Sequence, residues 1–160
     1  MIAFRSKSDG TVSAKLAVEE AVMLSDLAGQ LIEILSDRSP DADDPAVLRL
    51  LPDAYPDDPA ASSEFRRFTS DGLAERKSAN ANAVIESLAD VAAGRTKTLR
   101  LDQPAVQAWL RSLTDLRLTI ATRLGIETDE DRAASDDPLG GIYDWLGFVQ
   151  GTLVEALDRP

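Results

Sequence analysis

Apolar residues alternate with polar ones from Ile2 to Ala17, with Ile2 and Phe4 before a Ser8-Asp9-Gly10 turn and Val12, Ala14 and Leu16 after it. Period-two alternation around a Gly-containing turn predicts a β-hairpin, with strands at 2–6 and 12–17. The period then changes. Ala21, Leu24, Ala28, Leu31 and Leu35 fall on one helical stripe, widened by Leu27, Ile32 and Ile34, and predict a buried helix over 18–36 that stops before Ser39-Pro40.

The tripeptide Asp-Asp-Pro occurs at 43–45, 57–59 and 136–138, each time ahead of a helical pattern. An Asp side chain accepts the free N–H groups of a first turn, its charge suits the positive end of the helix dipole, and Pro at the first position gives up no needed donor. These aspartates therefore read as caps in preference to metal ligands. They predict a short helix from Pro45 to Leu51 and a long one from Pro59 to about Ala93, bent near Asp71-Gly72 and stopped by Gly94. Lys97 to Leu101 alternates again and is expected to join the hairpin as a third strand. Asp102 caps a helix carrying Val106, Trp109, Leu110, Leu113, Leu116, Ile120 and Leu124, which Gly125 ends. The acidic stretch from Glu127 to Asp137 is expected to be a mobile loop. A last helix, from about Pro138 to Leu157, places Ile142, Leu146, Val149 and Leu153 on one face. The fold class is mainly α: a compact bundle of four main helices and a short one, with a small three-stranded antiparallel sheet. At 160 residues the chain is expected to form a single domain over 1–160.

Charge alters the functional picture. Against 17 basic residues stand 28 acidic ones, a formal net charge of -11, which repels phosphate backbones and anionic lipid at long range. Direct nucleic-acid and membrane binding are therefore not expected. The acidity serves solubility first and steering of a basic protein partner second. Cys and His are both absent, which removes disulfides, thiol nucleophiles, thiol redox switching, imidazole catalysis and nearly all structural zinc sites. No apolar run resembles a signal sequence or approaches the ~20 residues of a membrane span, so a cytoplasmic location is expected.

No P-loop, dinucleotide-binding glycine pattern, nucleophile elbow or EF-hand loop is present, and the chain cannot supply the Glu-x-x-His pairs of a di-iron bundle. No catalytic, cofactor-binding or metal-ligating residue is assigned. More informative are charges embedded in apolar helical patterns: Asp115, Arg117 and Arg123, and Arg66 and Arg67 between Phe65 and Phe68. Burial demands partners for them, so these arginines are expected to meet Asp115, Asp53 or Glu64 across helix contacts. The alternative is a partly exposed cleft that reads a peptide or small anion through Arg forks. Trp109, Tyr143 and Trp145 divide between core aromatics and interface anchors.

Four blocks, Arg49 to Asp58 (RLLPDAYPDD), Glu64 to Thr69 (EFRRFT), Thr114 to Ile126 (TDLRLTIATRLGI) and Tyr143 to Val154 (YDWLGFVQGTLV), resemble an actinobacterial family catalogued as a domain of unknown function, that of the actinomycete oxidative stress regulator. The resemblance implies a non-enzymatic cytoplasmic regulator or adaptor that binds a protein partner, a stress sigma factor. It brings Asp53, Tyr55, Arg66, Arg67, Trp109, Asp115, Arg117, Arg123, Tyr143 and Trp145 as family-pattern or interface candidates. Cysteine oxidation, the trigger in the redox-sensing member, cannot operate in a chain without cysteine. Rival readings are a small-anion- or metal-dependent enzyme using Asp, Glu and Arg, and a homodimerisation module.

Overall fold

The computed structural model describes residues 3–36, 45–51, 71–134 and 136–158. In chain order these form β1 (Arg5–Ser6), β2 (Val12–Lys15), α1 (Val18–Ser36), α2 (Pro45–Leu50), α3 (Asp71–Ala92), β3 (Thr98–Leu101), α4 (Gln103–Leu124), α5 (Asp129–Ala134) and α6 (Leu139–Asp158). The chain is mainly helical with a three-stranded antiparallel sheet in the order β1-β2-β3, as the pattern predicts.

Strand β1 is shorter than alternation suggests. The Phe4 N–H turns toward α6, donating to Thr152 Oγ1 at 3.4 Å, and the ring packs edge-on against Trp109 at 5.7 Å between centroids. Ladder pairing joins Arg5 to Ser13 and Ser13 to Arg100, and the sheet buries Val12, Ala14, Leu99 and Leu101 against the helices.

Helix α1 lies along α3, α3 along α4, and α4 along both α2 and α6. The seam of α3 reads Ala74, Ala81, Val84, Leu88 and Val91, all buried. The caps among the described residues fall where expected, while the capping aspartates at 43–44 and 57–58 and the expected start of the long helix at Pro59 lie outside them. Asp102 accepts from the Ala105 N–H at 3.0 Å, and Asp137 Oδ1 accepts from that of Leu139 at 2.9 Å. Gly94 and Gly125 hold φ of 76° and 70° behind α3 and α4, a conformation that a residue with a Cβ resists.

A second segment among the described residues departs from expectation. The acidic stretch between α4 and α6 contains the short helix α5. Thr128 and Asp131 form a reciprocal cap: Asp131 Oδ2 accepts from the Thr128 N–H, and Thr128 Oγ1 accepts from the Asp131 N–H, both at 3.2 Å. The Thr-x-x-acid spacing is a capping box, a local signal hidden among the surrounding charges. The backbone N–H of Glu127 also donates to Asp131, and these bonds hold its carboxyl below the usual carboxylate range.

Candidate functional site

Two helix seams each carry one ionisable residue. Lys77 occupies a seam position of α3 between Ala74 and Ala81, and Asp115 occupies one of α4 between Leu113 and Leu116. The packing of α3 on α4 brings Lys77 Nζ to 2.7 Å from Asp115 Oδ1, with side chains only 20% and 7% exposed. Burial raises the Asp115 carboxyl above its ordinary value, and the Lys77 ammonium works against that rise. Asp115 Oδ2 and Ser112 Oγ are buried without a hydrogen-bond partner among the described residues. Above the pair opens a groove of about 410 Å³, lined by Leu73, Arg76, Asn80, Leu110, Arg111 and Thr114 along with the two ions.

The expectation that an arginine meets Asp115 is corrected: its partner is Lys77. Arg117 follows Asp115 by two positions on one helix, and residues so spaced point to different faces. The Arg117 guanidinium instead lies over the Tyr143 ring of α6, 4.4 Å from its centroid. Gly147 makes room for it, since a Cβ there would stand 3.1 Å from Arg117 Cζ and Nη2. Arg132 of α5 forms a two-pronged pair with Asp144 of α6, Nε to Oδ1 at 3.0 Å and Nη2 to Oδ2 at 2.6 Å, and this fork holds the Asp144 carboxyl low.

The other candidates separate. Trp109 is fully buried, and its Nε1 donates to Ser87 Oγ at 2.8 Å, which makes it a core aromatic. Trp145 and Tyr143 are half-buried on α6. Arg123 is exposed in the last turn of α4, beside a hollow of about 350 Å³ between α1, α4 and α6. Asp53, Tyr55, Arg66 and Arg67 lie outside the described residues. Asp115, Arg117 and Arg123 share α4 without sharing a face. Lys77 and Ser87 escaped the sequence reading, although for Lys77 a signal exists: a cation at a seam position of α3 calls for an acid at the facing seam.

The groove holds a paired Lys and Asp beneath arginines, an amide and a hydroxyl, an arrangement suited to polar recognition. Among the described residues no group of three or more His, Cys, Asp and Glu is placed to hold a metal ion, and no helix is long and apolar enough to cross a membrane.

Fold and site together define a helical-bundle protein with a small sheet and an ion pair clamped between two helices. The chain belongs to the family described as domain of unknown function DUF2017, whose sequence profile matches residues 1–157. It is 30% identical over 176 residues to the oxidative stress regulator AosR of Mycobacterium tuberculosis (strain H37Rv) and likewise to that of Mycobacterium bovis, covering 90% of this chain and 81% of each relative. It is 28% identical to the putative oxidative stress regulator AosR of Mycobacterium leprae, over 89% of this chain and 80% of the relative. No solved structure matches.

Proposed function

We propose that the chain is a non-enzymatic regulator of an oxidative-stress response that works by binding another protein, a stress sigma factor, through an acidic face. The observation that carries this reading is the likeness to oxidative stress regulators along nine-tenths of the chain. The outer face of α6 supplies a surface of the right chemistry. Phe148, 42% exposed, stands among the exposed acids Asp144, Glu155 and Asp158, and an apolar anchor rimmed by charge is a common form of protein contact.

Because these 160 residues contain no cysteine, no thiol among them can switch the binding. Capture of partners on the tagged full chain, with and without peroxide, tests both halves of the reading. A sigma factor recovered equally in both samples, and lost with Phe148→Asp, is the expected result. Recovery of no protein partner even at low salt, where acidic steering is strongest, would refute the adaptor reading. Recovery only after peroxide would refute oxidation-independent binding and point to a methionine or a partner thiol as the oxidised group.

A further inference from the structure

An acidic chain carries a cationic surface on its sheet. Residues paired across a ladder point to the same side, so the register places Arg5, Ser13 and Arg100 in one row on the outer face, with Lys15 and Thr98 in the next. Arg100 is exposed while Leu99 and Leu101 enter the core, which fixes the row as the outward one. Lys7, whose N–H donates to the Thr11 carbonyl at 2.8 Å, extends the same face along the hairpin.

None of Arg5, Lys7, Lys15 and Arg100 forms an ion pair among the described residues, whereas Arg49, Lys77, Arg95 and Arg132 all do. Asp9, the acid of the hairpin turn, accepts from the N–H and hydroxyl of Thr11 through Oδ1, and these bonds, with a weaker pull from Arg100, hold its carboxyl below the ordinary value. Three of these cations, Arg5, Lys7 and Lys15, line a trough of about 490 Å³ together with the small residues Ala3, Ser13, Ala14 and Thr98. Small lining residues leave room for a backbone to approach, and the long cationic side chains can then reach its carboxylates.

We infer that this sheet face docks an extended, acidic segment of a protein, with carboxylates set on Arg5, Lys7, Lys15 and Arg100. Side chains two apart on an extended chain are about 7 Å apart, the spacing of Arg5 and Lys7 themselves, and three strands span only about 10 Å. A peptide of about four residues fits those dimensions. Duplex nucleic acid fits them poorly, since even a small module buries about 600 Å² or more. Its phosphates would overrun the sheet onto Asp9, Asp102, Glu19 and Glu20 in a chain of 28 acids. The surface is separate from the acidic face of α6, and neither reading depends on the other.

The probe is a fluorescein-labelled 12-residue peptide alternating Glu and Thr, titrated into the full chain, with its Gln-for-Glu counterpart and a 12-base-pair duplex DNA as comparisons. The Glu peptide is expected to bind and to shift backbone amide resonances of residues 5–15 and 97–101. The double substitution Arg5→Glu and Arg100→Glu should weaken it at least tenfold, while Arg49→Glu on α2, away from both the sheet and the groove, should not. Absent or misplaced shifts, equal binding of the Gln peptide, or unaltered affinity in the double variant would overturn the inference. Tighter binding of the duplex at these residues would assign the face to nucleic acid. Self-association abolished by the same variant would assign it to a second copy of the chain. Should the double variant fail to fold, Lys7→Gln with Lys15→Gln and the amide map of the unmodified protein decide the matter.

Discussion

Lys77 and Asp115, 38 positions apart, meet at 2.7 Å where the seams of α3 and α4 cross. Neither charge sits in open water, so each depends on the other. Lys77→Met strands an acid that is 95% buried and is expected to cost about 2 to 4 kcal/mol, between the limits for exposed and fully buried pairs. Replacing both partners, as Lys77→Met with Asp115→Leu, should cost clearly less than the two single changes added together. Urea denaturation of the four proteins of the cycle measures the coupling. Strict additivity would show that the contact carries no energy.

Acidity changes the balance at Asp115 in a definite direction. Burial holds its folded carboxyl above the unfolded value, with Lys77 opposing. Such a group contributes stability that is full below the unfolded value and lost as pH rises through the folded one. Asp115→Asn does not titrate, so its melting temperature relative to the parent protein should climb as pH rises through and above the ordinary carboxylate range. A flat or falling difference would contradict this sign.

The glycines of α6 differ in what surrounds them. A Cβ at Gly151 meets nothing within 4 Å, so Gly151→Ala should stabilise the helix by about 0.5 to 1 kcal/mol. At Gly147 the methyl would press on the Arg117 guanidinium, and the loosened contact with Tyr143, worth about 0.5 to 2 kcal/mol, should cancel that gain. Thermal melts of the two variants compare them directly. Equal stabilisation would mean that Arg117 moves aside without loss.

Gly140 is tighter still. A Cβ there would stand 2.7 Å from Arg132 Cζ and must push the guanidinium away from Asp144. The affected atoms are the end of a flexible side chain, so Gly140→Ala should fold normally while Asp144 titrates nearer the ordinary carboxylate value. The depressed Asp144 carboxyl stabilises the docking of α5 above its unfolded value, and that contribution is lost as pH falls through the folded one. Carboxyl chemical shifts in a pH titration read this out. An unshifted Asp144 would show that the fork had reformed around the methyl.

Trp109 links the core to a polar partner on α3. Trp109→Phe keeps most of the ring but leaves Ser87 without its donor, an expected loss of about 1 to 3 kcal/mol in denaturant titration. Ser87→Ala removes the acceptor and should lose a comparable amount. A neutral Ser87→Ala would mean that the bond contributes shape alone.

Local features account for what the sequence determined here. Helical stripes, period-two alternation, Asp102 and Asp137 as caps, and glycines at positive φ act within a few residues, and among the described residues the elements they specify appear, β1 shortened. The same range explains the helix α5, missed among the described residues, because the Thr128 and Asp131 cap was legible and was hidden by neighbouring charge. The absence of cysteine from these 160 residues is likewise read from the sequence alone.

Pairing across the fold was decided elsewhere. That Asp115 needs a partner follows from a charge on an apolar stripe. That the partner is Lys77, and that Arg117 turns to Tyr143, follows from which helices pack together and how each seam is rotated. The cationic sheet is the clearest case. A net charge of -11 describes the whole chain, yet antiparallel register sets Arg5 and Arg100, 95 positions apart, on either side of Ser13. Summed charge carries no positions, and only the ladder of hydrogen bonds brings those distant residues onto one face.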